Sequence, residues 1–144
     1  SSTGSRPTPV TRTFFDTNVL LYLLSADPDK ADRAEALLSE GGVVSVQVLN
    51  EFAAVATRKF GASWDAVRET LDVLRLTLDV EPLTLQTHQL GLAIAERHRL
   101  GLYDSMILAA AALAGCEAVY SEDMQDGFRL PDGPTVRNPF TPPR

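Results

Sequence analysis

The feature that most constrains this chain is a regular alternation of short apolar runs with longer stretches of helical periodicity. "TRTFF", "GVVSV" and "CEAVYS" are too short for helices and read as strands, with "PTVRNP" a candidate last one. Between them, "DPDKADRAEALLSEGG" carries Pro28 near its start, apolar positions at Ala34, Leu37 and Leu38, and a glycine pair as a stop signal. A second helix is expected from about Val46 to Lys59, ending near Gly61. "SWDAVRETLDVLRLTL" has a Ser63 cap and repeats Val67, Leu71, Leu74 and Leu78 at helical spacing, and "DVEPL" follows as a strand-like connector. "TLQTHQLGLAIAERHRLG" reads as a helix ending at Gly101, and "YDSMILAAAALAG" as an alanine-rich helix ending at Gly115. Strands that alternate with helices fit an α/β fold with a parallel sheet covered on both faces. Ligand-binding groups in such sheets gather beyond the carboxyl ends of the strands.

The length, 144 residues, suits one core, expected over residues 12–140. Residues 1–11 read as a flexible tail or a remnant of expression, and 141–144 as a C-terminal tail. Thirteen basic against nineteen acidic residues leave a formal charge of −6, which argues against a protein held on nucleic acid by charge alone. Acidic residues gathered around bound cations would no longer repel phosphate, so an enzyme acting on nucleic acid stays open. The single cysteine, Cys116, precludes an internal disulfide and reads as a buried, inert thiol, which fits a reducing cytoplasm. The N-terminal stretch lacks the apolar segment of a secretory signal. "MILAAAALAG" is too short to span a bilayer, so no membrane partner is expected.

Four acids sit in unusual places. Asp16 interrupts "FFDTNVLLYLL" directly after the first strand, where it can cap a short helix carrying Val19, Leu20, Leu23 and Leu24. Glu51 has Val48, Ala54 and Val55 as helical neighbours, an apolar stripe rather than a charged face. Asp104 opens the alanine-rich helix with Ile107 and Leu108 on its own side. Asp123 follows the "CEAVYS" strand in a loop that also holds Glu122 and Asp126. Each acid has a bland role open to it, as a cap, a helix-edge charge or a turn residue. If they converge, like charges raise one another's pKa values, and a hard divalent cation with oxygen ligands resolves the repulsion. No CxxC or HExxH pattern competes for a softer metal. A carboxylate metal site with water positions suits hydrolysis of a phosphodiester.

"FFDTNVLLYLL", "SVQVLNEFAAVATRK" and "LGLYDSMILAAAALAGCEAVYSEDMQDG" together resemble the PIN-domain nucleases, and more narrowly the VapC-type toxins of bacterial type II toxin–antitoxin pairs. The likeness runs from about Thr13 to Phe128. It implies a three-layer α/β/α sandwich around a parallel sheet, and an endoribonuclease that uses Mg²⁺ or Mn²⁺. It implies an acidic quartet at Asp16, Glu51, Asp104 and Asp123, of which Asp16, Asp104 and Asp123 bind or orient the metal. Glu51 would help ligate it or accept a proton, and Asn18 and Ser121 match supporting polar positions. Asp126 is a rival or companion to Asp123. Products with 5′-phosphate and 3′-hydroxyl ends, an RNA substrate, a cognate antitoxin whose C-terminal segment fills the groove, a homodimer and a cytoplasmic location follow from the same resemblance.

The other candidates are weaker. Arg12, Arg58, Lys59, Arg97, Arg99, Arg129 and Arg137 are possible phosphate contacts, each equally a solvated charge. His88 and His98 read as surface or capping residues, and Trp64 as a packing residue. Three alternatives compete: a PIN-like nuclease of RNA processing or DNA cleavage, a binding module acting through its partner, and an aspartyl-phosphate phosphatase. The last also places Asp after a first buried strand, but needs a second Asp where Asn18 stands.

Overall fold

The structure, a computed structural model, describes residues 12–140; the tails expected at 1–11 and 141–144 lie outside the described residues. Five strands run β1 (Thr13–Phe15), β2 (Gly42–Ser45), β3 (Leu78–Glu81), β4 (Ala118–Tyr120) and β5 (Thr135–Arg137). They form one sheet in the order β3-β2-β1-β4-β5, with every pairing parallel. The helices are α1 (Thr17–Leu21), α2 (Pro28–Ser39), α3 (Val46–Lys59), α4 (Trp64–Thr77), α5 (Leu85–His98) and α6 (Leu102–Leu113), with a 3₁₀ turn at Tyr22–Leu24.

Successive strand residues point to opposite faces of a sheet. Phe14 and Phe15 in β1, and Val43 and Val44 in β2, are all buried, so helices cover both faces and the sandwich has three layers. Local chemistry sets the helix starts. Asp27, Ser45, Ser63 and Thr84 each accept a backbone N–H at the first turn of α2, α3, α4 and α5.

The structure departs from the sequence reading in three places. "DVEPL" is more than a connector: Leu78–Glu81 pairs along its length with β2 as an edge strand. Helix α5 ends at His98 rather than Gly101, because Arg99 itself adopts the left-handed conformation (φ 56°) that terminates it, while Gly101 becomes the N-cap of α6. Trp64 does not pack inward; it lies one turn ahead of buried Val67 on α4 and is 61% exposed. Helical phase fixes a side chain's direction but not whether another element lies beneath it. Cys116 is free and buried, and burial pushes its thiol up to about 11. Among the described residues, no helix is long and apolar enough to cross a membrane.

Candidate active site

Parallel pairing of β1 with β4 matches Phe15 to Tyr120, so the next residues, Asp16 and Ser121, emerge side by side. The Asp16 amide donates to the Tyr120 carbonyl and the Ser121 amide to the Arg137 carbonyl, both at 3.0 Å, which continues the sheet to this edge. The chain winds from β1 through β2 to β3 on one side, while β4 and β5 lie on the other. The β1–β4 seam is therefore the point where strand order switches and the strand-end crevice opens.

Asp16 is buried there, 5% exposed. One carboxylate oxygen accepts the Thr17 amide at 2.7 Å and caps α1. The other accepts the Ser121 hydroxyl at 2.7 Å and the Asn18 amide at 3.2 Å. Capping and a place in an acidic cluster are thus two uses of two oxygens on one side chain. Burial, with smaller contributions from the charges of Asp104 and Asp123, pushes Asp16 up to about 6 in spite of the Ser121 and Thr17 hydrogen bonds. Burial and then the Asp123 charge raise Asp104 as well. Three segments distant in sequence therefore place Asp16, Asp104 and Asp123 within electrostatic reach of one another.

Asn18 and Ser121 knit this cluster. The Asn18 Nδ2 donates toward Asp16, Ser121 and Asp123 at 3.2, 3.3 and 3.2 Å, and its Oδ1 accepts the Glu122 amide at 3.1 Å. The Ser121 Oγ accepts the Asp123 and Met124 amides at 3.1 and 3.2 Å. The three loop acids take different directions. Asp123 meets Asn18, Glu122 turns to Tyr22 and Lys30, and Asp126 accepts the Asn138 amide at 3.1 Å. Asp104, in the first turn of α6, lines a cleft of about 210 Å³ with Asp123, Leu100, Met124 and Phe128.

Glu51 reaches the same neighbourhood from α3. It accepts the Gln47 side-chain amide at 2.9 Å and faces the Thr17 hydroxyl at 3.5 Å. Its helix buries Gln47, Val48, Phe52 and Ala56, so Glu51 borders the buried stripe; Ala54, read as part of that stripe, is exposed. Gln47 was missed from sequence. It is buried and also reaches toward the Tyr103 carbonyl at 3.3 Å, tying α3 to the start of α6 beside Asp104. Its position four residues before Glu51 on one helix was the available signal. Neither histidine joins these hydrogen bonds; His98 packs edge-on against Phe128 with ring centres 5.5 Å apart. Position 18 holds no acid, and its amide is committed to the carboxylates on either side, which removes the phosphatase alternative's proton donor.

The PIN domain family model matches residues 13–129, most of the chain. The chain belongs to the PIN domain family. Its fold is that of solved VapC-type toxin structures. A toxin–antitoxin complex from Klebsiella pneumoniae superposes with a TM-score of 0.67 at 23% identity, covering 89% of this chain and 98% of that one. The Mycobacterium tuberculosis VapC20, described as a sarcin–ricin loop cleaving toxin, gives 0.64 at 22% identity over 77% of this chain and 89% of that one. VapBC2 from Rickettsia felis, bound to a DNA fragment from its promoter, gives 0.63 at 18% identity over 88% and 97%. No curated protein matches the sequence.

Among the described residues, no three acidic, histidine or cysteine side chains meet closely enough to ligate a metal ion together. Mg²⁺ commonly takes only one or two carboxylates and keeps several waters. A PIN domain whose buried Asp16 is raised toward neutrality by burial and by two neighbouring acids has the donor chemistry for such an ion, and oxygen ligands only.

Proposed function

We propose that this PIN domain is a divalent-metal-dependent endoribonuclease that acts in the cytoplasm as the toxin of a type II toxin–antitoxin pair. The observation that carries the reading is the convergence of Asp16, Asp104 and Asp123 at the strand-order switch of the sheet, where burial first and then neighbouring carboxylate charge raise Asp16 and Asp104. A cation beside acids held in that way offsets both their burial and their repulsion. The family match and the toxin folds that superpose on the chain support the same reading.

Asp16, Asp104 and Asp123 would hold Mg²⁺, or Mn²⁺ in its place. Such an ion, when bound, acidifies a coordinated water and offsets the charge of a scissile phosphate. Asn18 and Ser121 keep the Asp16 and Asp123 carboxylates oriented through the bonds described above. Glu51, half-buried and oriented by Gln47, completes the acidic quartet as an outer ligand or a proton acceptor. RNA enters from the solvent side of Asp123, the exposed member of the group. A cognate antitoxin and a second copy of the chain belong to the reading; Val73, Leu76, Leu85 and Tyr103 are exposed apolar surface of the kind protein partners cover.

The test is cleavage-site mapping on total cellular RNA with purified protein. Wild type is expected to cut discrete sites with Mg²⁺ and to stop on chelation, and folded Asp104→Asn is expected to leave the RNA intact. Full cleavage by Asp104→Asn, or cleavage indifferent to chelator, would overturn the assignment.

A further inference from the structure

Glu122 lies between Ser121, which holds Asp16, and Asp123, yet its side chain turns away from both. It accepts a hydrogen bond from the Tyr22 hydroxyl and pairs with the Lys30 ammonium at 3.4 Å. Lys30 also donates to the Tyr22 oxygen at 3.2 Å and sits 4.6 Å from the centre of the Tyr22 ring. Tyr22 packs edge-on against Phe140, with ring centres 4.5 Å apart. All three polar residues are half-buried. The cluster therefore draws on the 3₁₀ turn after α1, the first turns of α2, the loop after β4 and the last described residue of the chain.

An isolated exposed ion pair contributes little and would scarcely restrain a loop. Here the carboxylate is shared between a hydroxyl and an ammonium that also bond each other, and the ammonium lies over the ring, so the three side chains restrain one another. What they restrain has no secondary structure of its own and is held mainly by side-chain bonds to Asn18, Ser121 and Asp126. Residues 121–126 form no helix or strand, and Asp123, exposed, is held by its amide to Ser121 and its carboxylate to Asn18. The Glu122 amide, in turn, closes on the Asn18 oxygen. Lys30 also neutralises an acid that directly precedes Asp123 in the chain.

We propose that Tyr22, Lys30 and Glu122 form a strap of positioning residues that holds the loop after β4, so that Asp123 stays on Asn18 and in the acidic cluster. The strap touches neither substrate nor metal; it acts through Asp123. Its catalytic consequence rests on the nuclease reading above, whereas its effect on the loop does not.

The experiment compares wild type with Tyr22→Phe, which keeps the ring against Phe140, with Lys30→Met, which keeps the aliphatic stem, and with Glu122→Gln. Amide exchange is read by NMR at residues 122–124, whose N–H groups bond Asn18 and Ser121. Loss of one strap contact is expected to speed exchange there about five- to tenfold, as for a hydrogen bond of ordinary net worth, with β1 and α6 amides unchanged. Lys30→Arg should restore protection. Mn²⁺ titration should show several-fold weaker binding in Lys30→Met, with cleavage recovering at higher Mn²⁺. Unchanged exchange at 122–124 in all three variants overturns the strap, and so does an increase spread evenly over the chain. If wild type neither binds Mn²⁺ nor cuts RNA while the local exchange effect appears, the nuclease reading fails and the strap stands.

Discussion

Replacing Asp16 with Asn removes a buried charge while keeping its shape, and the consequence for stability can be worked out. The carboxyl titrates at about 6 in the folded chain against an ordinary value of 3.8. Between those values the native state keeps a proton that the unfolded state has lost. The contribution of this group is therefore most favourable below about pH 4, and it falls as pH rises through about 6. At about 1.4 kcal/mol per tenfold change in acidity, the gap amounts to about 3 kcal/mol lost between about pH 4 and pH 7 when no divalent cation is present. Asn at this position still caps α1 well. Its amide would face the Ser121 hydroxyl and the Asn18 amide in place of an acceptor, at a cost of about 2 kcal/mol. Asp16→Asn should then be about 2 kcal/mol less stable than wild type near pH 4 and about 1 kcal/mol more stable near pH 7.5, a melting-point gain of roughly 2–4 °C at the higher pH. Urea unfolding followed by circular dichroism across this range, with a chelator, measures both curves. The diagnostic quantity is the change in their separation with pH, which cancels every other titrating group common to both proteins. Parallel curves would refute the reasoning, since they would mean that Asp16 ionises in the fold as easily as in water. Adding Mg²⁺ near pH 7.5 should raise the wild-type midpoint and leave Asp16→Asn in place.

Two further outcomes are expected. A Cβ at Gly91 would stand 2.4 Å from the Met106 sulfur and 3.3 Å from the Met106 Cα, so Gly91→Ala should push α5 off α6 and destabilise the fold by about 1–3 kcal/mol; thermal melts should show Met106→Ala recovering part of that loss in the double variant. Cys116, buried and with its thiol pushed up to about 11, should resist a disulfide-exchange reagent near pH 8 and react only as the chain unfolds; rapid labelling of the native protein, followed by absorbance, would contradict its burial.

Much of this molecule was legible before any coordinates. Periodicity located the helices because an amphipathic face repeats within a few residues, and the cap at Ser63 acts on an amide only three positions away. The "TRTFF" and "GVVSV" runs marked strands because both their faces are apolar. Departures arose where a local signal did not determine its own outcome. A glycine was expected to end α5, but Arg99 ended it, since a non-glycine residue can be held in the left-handed region by its surroundings. Inward placement of Asp104 was inferred from Ile107 and Leu108, yet α6 buries every residue from Ser105 to Ala111, so apolar neighbours on that helix point in all directions and distinguish nothing.

The sequence by itself determined the kind of chemistry available: carboxylates after strands and at helix starts, an amide at position 18, and no thiol or imidazole pattern to compete. Tertiary structure alone decided which of these groups meet. Glu122, Asp123 and Asp126 share one short loop and one charge, and only the pairing of β1 with β4 and the packing of α1 and α2 beside it send the first to Lys30, the second to Asn18 and the third to a backbone amide. The physical reason is range. Propensity and capping act over a few residues, while the energy that sorts like charges depends on distances between segments a hundred residues apart, which no local pattern encodes.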